Sequence, residues 1–88
     1  MSSSGIKMQA IIFLKINEKD APSLVSDIKK NKNVEEIFIL EENLIFVMGS
    51  FIDIEELSEF LRNLRSMKGI ENTETKLVLK RFKTTFPY

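Results

Sequence analysis

The twelve residues from Gly69 to Lys80, GIENTETKLVLK, constrain this chain most, because within them one helix must stop, the backbone must turn and a strand must begin. Gly69 stands just past an amphipathic run, where a left-handed stop is needed. The Thr-Glu-Thr and the aliphatic run after it read as a strand, predicted over 73–82. Leu77 and Leu79 then face the helices, and Val78, between Lys76 and Lys80, faces the other way. Everything upstream has to pack against that strand.

Upstream, the periodicity alternates between two and 3.6. Met8, Ala10, Ile12, Leu14 and Ile16 share one face of a strand, while Gln9, Ile11, Phe13 and Lys15 share the other. After a polar break at 17–20, Asp20 or Ala21 is placed to cap a helix with Pro22 in its first turn and Ala21, Leu24, Val25 and Ile28 as its buried stripe. Asn31 or Asn33 is expected to take the left-handed conformation that ends it. Val34 to Leu40 is short and β-branched, hence a strand. Glu41-Glu42-Asn43 makes a hairpin turn, and Leu44 to Phe51 returns as the most apolar run, as a central strand would. Asp53 and Glu56 form a capping box for a second helix with Ile54, Leu57, Phe60, Leu61, Leu64 and Met67 on its apolar face. Ile70 is expected to fold back on Leu64.

Strand, helix, strand, strand, helix, strand in 88 residues predicts an α+β, ferredoxin-like βαββαβ sandwich: a four-stranded antiparallel sheet with two helices on one face. The domain is placed at 6–83, after a disordered leader at 1–5 and before a tail at 84–88.

Composition narrows the function. There is no histidine and no cysteine, which removes the usual proton-transfer side chain, thiolate chemistry and the commonest metal ligands, so neither an enzyme nor a cofactor or metal site is expected. Thirteen basic residues balance thirteen acidic ones, giving no electrostatic pull toward nucleic acid. No apolar run approaches the ~20 residues needed to span a bilayer, and no signal peptide is visible, so the expected location is cytoplasmic.

Two helices cover one face of a four-stranded sheet. The other would carry Ile11, Phe13, Val78, Phe82 and one alternating set from the middle strands, such as Phe38, Leu40, Phe46 and Met48; periodicity alone leaves that register open. Each large side chain left in water forgoes roughly 1.5–3 kcal/mol. The expectation is a homodimer packed sheet to sheet, burying on the order of 1,600 Å².

Asp53-Ile-Glu-Glu-Leu57, Phe60-Leu-Arg62, Met67-Lys-Gly-Ile70 and Thr73-Glu-Thr-Lys-Leu-Val-Leu79 together resemble the ligand-binding (RAM) domain of the leucine-responsive regulatory protein/AsnC family. The resemblance covers Met8 to Lys83 and lacks the DNA-binding helix-turn-helix of the full-length regulators. It implies a stand-alone effector-binding or oligomerisation module without direct nucleic-acid contact, whose dimers assemble into a higher oligomer such as an octameric ring. It also implies a small amino-acid effector held between dimers and a full-length regulator as a co-assembly partner. The family's ligand positions fall here on Glu41, Glu42 and Asn43 of the hairpin, Gly49 and Ser50 at the end of the third strand, and Thr73 and Thr75 of the last. The hairpin is shorter than the family's usual one. Asp20-Ala-Pro22-Ser-Leu24 also resembles the turn of ACT domains, amino-acid-binding regulators of the same fold, and dimeric α/β-barrel enzymes share the topology. An RNA-recognition reading fails on Leu44 to Phe51, which lacks the basic, glycine-containing start of that motif.

Overall fold

The computed structural model describes residues 7–83, so the leader expected at 1–5 and the tail at 84–88 lie outside the described residues. The element order is β1 (Met8–Ile16), a 3-10 turn (Glu18–Asp20), α1 (Ala21–Ile28), β2 (Val34–Leu40), β3 (Leu44–Phe51), α2 (Ile54–Arg65) and β4 (Ile70–Leu77). The strands form one antiparallel sheet in the order β2-β3-β1-β4, the ferredoxin-like arrangement the sequence predicts. Its two most apolar strands are central.

One sheet face packs on both helices. Ala10, Ile12, Leu14 and Ile16 of β1 and Ile45, Val47 and Phe51 of β3 are buried against Leu24 and Ile28 of α1 and Leu57, Phe60 and Leu64 of α2. The rings of Phe51 and Phe60 lie 5.2 Å apart across the layers. Alternation along β1 and the 3.6 period along the helices thus meet in a single core.

The helix termini depart in part from expectation. Asp20 makes no side-chain capping bond, because the chain already curls through the 3-10 turn, which Asn17 caps by accepting from the Lys19 amide. Ser23, in the ACT-like string, donates to the Asp20 carbonyl at 3.3 Å, an ordinary helix start. Neither Asn31 nor Asn33 is left-handed; α1 closes through amides of Lys29, Lys30 and Asn31 that donate to Val25, Asp27 and Ile28. Asn33 instead ties the chain to β3, its side-chain amide donating to the Ser50 carbonyl at 3.0 Å and its carbonyl accepting from the Ser50 amide. At α2, Asp53 accepts from the Glu56 amide at 2.9 Å, while Glu56 reaches back to the Ile52 amide at 2.8 Å. That is a capping box displaced by one residue. Ile54, expected on its apolar face, is exposed in the first turn.

The last strand is shifted from its expected 73–82. Gly69, at φ +100, turns so tightly that its carbonyl accepts from the Asn17 amide at 2.8 Å, and pairing with β1 begins at Ile70. It stops after Val78, whose amide donates to the Gln9 carbonyl, because β1 itself begins at Met8. Leu79 and Phe82 therefore leave the sheet and stand 93% and 90% exposed. Their apolar side chains find no neighbouring strand of this chain to pair beside.

Candidate functional site

The strand register fixes which side chains occupy the uncovered sheet face. Phe38, Phe46 and Phe13 lie in one row across β2, β3 and β1, with Glu74 of β4 completing it. Glu36, Met48, Ile11 and Lys76 form the next row, and Leu40, Leu44, Lys15 and Asn72 the one on the other side. The set left open by periodicity resolves to Phe38, Leu40, Phe46 and Met48. Of the residues assigned to an interface, Ile11, Phe13, Phe38, Leu40, Phe46 and Met48 share this face, Val78 flanks it beside Gln9, and Phe82 lies beyond the strand. Phe13 meets Phe46 edge-on at 5.6 Å, and Phe38 meets Phe46 at 5.5 Å. The outer residues of this cluster remain in water, Phe38 at 50% exposure.

The face ends in a polar corner. The ladder of β2 slips between Val34 and Glu36, leaving Glu35 as an extra residue that the bulge turns onto this face. Its carboxylate accepts from the Ser50 hydroxyl at 2.7 Å and from the Gln9 side-chain amide at 3.1 Å, and Arg81 donates to Gln9 in turn. Gly49, next to Ser50, needs no left-handed backbone. It is glycine because a Cβ there would stand 2.8 Å from the Asn33 carbonyl oxygen.

The seven residues assigned to ligand binding do not converge within one chain. Glu41, Glu42 and Asn43 are exposed at the β2–β3 hairpin, Glu42 and Asn43 both left-handed. Gly49 and Ser50 lie at the opposite end of β3, roughly 20 Å away at ~3.3 Å per residue. Thr73 and Thr75 are on β4, at the far edge of the sheet and on its helix side, in register with Leu14 and Ile12. Thr73 does border an open cleft of about 490 Å³ with Arg65, Ile70, Glu71 and Asn72; Thr75 does not. A second ladder slip, at Lys15 and Ile16, leaves Glu71 as the extra residue of β4 beside that cleft. Arg65 closes α2 and Glu71 follows the first residue of β4, so the Gly69 turn is what brings a guanidinium and a carboxylate to one cleft. Sequence reasoning passed over both, since a lone arginine at a helix end reads as a dipole partner and bulges leave no periodic signal.

Among the described residues no cluster of His, Cys, Asp or Glu could hold a metal ion, and no helix is long and apolar enough to cross a membrane.

Residues 9–88 match the family model described as the Lrp/AsnC ligand binding domain. An uncharacterized HTH-type transcriptional regulator of Pyrococcus horikoshii is 31% identical over 85 residues, spanning 96% of this chain and 57% of the regulator. The chain thus spans just over half the length of that curated relative. Among solved structures, Escherichia coli AsnC superposes with a TM-score of 0.83 at 24% identity, covering 94% of this chain and 58% of AsnC. A Neisseria meningitidis transcriptional regulator solved as an L-Met complex superposes at 0.78 and 24% identity, covering 91% of this chain and 56% of its own. At that identity the two structures establish the shared fold.

Proposed function

Since the chain belongs to the Lrp/AsnC family and corresponds to its ligand-binding domain, we propose that it is a self-associating effector module of transcription regulation, pairing through its uncovered sheet face and taking a small amino-acid effector where paired copies meet. The observation that carries this is the continuous apolar cluster Ile11, Phe13, Phe38, Leu40, Phe46 and Met48 on a sheet face with no helix over it. A lone Phe at half exposure needs no explanation, but six large apolar side chains in adjacent rows do. The same face would receive the corresponding domain of a full-length regulator. Such work is cytoplasmic.

The effector reading rests on the cleft beside β4. An amino acid needs a cation for its carboxylate and acceptors for its ammonium, and Arg65, Glu71 and the Thr73 hydroxyl supply that set at the rim. The cleft is open to solvent, so a neighbouring dimer is needed to close it. That requirement suits the scatter of the other assigned residues, which belong to different copies in an assembly: the hairpin of one and the β4 edge of another.

The test pairs native mass measurement with a thermal-shift screen of the twenty amino acids, L-methionine included. One or a few stabilising hits, lost in Thr73→Val and Arg65→Ala, are expected. A flat screen with an intact oligomer would reduce the function to assembly alone.

A further inference from the structure

The helix layer carries an opening of its own, on the side of the sheet away from the uncovered face. Inward, Ile28 of α1 and Leu57, Phe60 and Leu64 of α2 fill the core. Along the seam between the two helices the residues are short and polar instead, with Asp27 and Asn31 on one bank and Asn63 and Ser66 on the other. Short side chains do not close the gap that large apolar ones would, and a groove of about 290 Å³ stays open. Phe60, Leu64 and Met67 form its floor. An apolar floor with a few polar groups at the rim is the build of a small-molecule site, and this volume lies at the lower end of the range for such sites.

The rim has one charge. Asp27 is the only ionisable residue lining the groove, with Asn31, Asn63 and Ser66 as neutral neighbours. It stands in the last turn of α1, where the free carbonyls already make the potential negative and no basic residue offsets it. Lys29 and Lys30 follow in sequence, yet neither comes within ion-pair distance. At the end of α2, Arg62 is held by Glu59 at 2.6 Å and Arg65 lines the other cleft. A carboxylate so placed opposes the dipole of its own helix and has no cation against it among the described residues.

We propose that this groove binds a small monocationic amine, its ammonium on Asp27 and its hydrocarbon body on Phe60, Leu64 and Met67. Charge selects that class. A carboxylate ligand would meet Asp27 head on, and a zwitterionic amino acid would bring its own carboxylate to the same rim, whereas an amine brings only the missing charge. The Asn63 amide oxygen and the Ser66 hydroxyl accept from the remaining ammonium hydrogens. Ser66 already donates its proton to the Asn63 carbonyl at 2.7 Å, which leaves its oxygen to act as an acceptor. The groove lies apart from the cleft beside β4 and from the uncovered sheet face, so it depends on neither.

The probe is isoamylamine, with isoamyl alcohol and L-leucine as comparisons of similar hydrocarbon shape. Each is titrated into the full chain at fixed pH and ionic strength while the backbone amides are followed by NMR. Saturating shifts at Asp27, Asn63 and Met67 are expected with the amine, and binding at these residues weaker by about threefold or more with the alcohol and with leucine. Asp27→Asn should weaken the amine by about threefold or more and leave the alcohol unchanged. Asn63→Lys, which brings a rival ammonium to the rim, should weaken the amine further, with circular dichroism confirming that both variants fold. Shifts that do not saturate, shifts confined to residues outside the groove, equal affinity for amine and alcohol, or an Asp27→Asn variant that holds the amine as tightly as the parent would each overturn the proposal.

Discussion

The two faces of one sheet are made from the same strands, yet they differ in how their side chains are satisfied. Ala10, Ile12, Leu14 and Ile16 of β1 look toward the helices and are buried, three of them with no exposed surface at all. Their immediate neighbours Gln9, Ile11, Phe13 and Lys15 look the other way, onto a face where Phe38 and Leu40 remain half in water. The helix-covered face is closed by the chain itself; the other is apolar at its centre and charged at its corners. A face built only for solvent would not need a row of three contacting phenylalanines, and a core would not carry Glu35, Glu36 and Lys15. That mixture, an apolar centre with a polar rim, matches the anatomy of interfaces in general and supports the proposed pairing.

The largest test of this contrast is Ile12→Ala. On the covered face it should cost about 2–5 kcal/mol of unfolding free energy, read by urea denaturation at fixed protein concentration. Phe46→Lys, on the open face, should instead raise the dimer dissociation constant by an amount equivalent to about 2–4 kcal/mol, read by sedimentation, and Phe13→Lys should behave alike. If both substitutions altered folding and association equally, the two faces would not be distinct. At the turn between α2 and β4, Gly69→Ala should destabilise by about 1–3 kcal/mol, since φ +100 disfavours a side chain and its Cβ would lie 2.6 Å from that of Asp20. Glu42→Gly should do the opposite. Glu42 holds φ 64 at an exposed hairpin, so glycine there should stabilise by about 0.5–1 kcal/mol in a thermal melt. Lys76→Glu, at the rim beside Glu74, should change either property by less than about 0.5 kcal/mol.

Most of this contrast was legible in the residues. Alternation along β1 gave both faces, and the Asp53–Glu56 spacing marked the start of α2, because each depends on local geometry alone. The register of β2 on β3 was not legible, since VEEIFIL and LIFVMGSF are apolar on both sides and the Glu35 bulge that sets their offset has no sequence period. The end of β4 was misplaced for a related reason. Val78, Leu79 and Phe82 continue the apolar run of β4, but pairing ends where β1 begins, a fact held by another part of the chain. The cleft was half legible: Thr73 was named, whereas Arg65 and Glu71 meet it only through the Gly69 turn.

The central claim is that the open face is closed by a second copy, and a native mass measured across a wide concentration range tests it most directly. The account predicts a mass of twice 10.2 kDa or more at micromolar concentration, falling toward the monomer on dilution and in Phe46→Lys. A constant 10.2 kDa particle at all concentrations would contradict it.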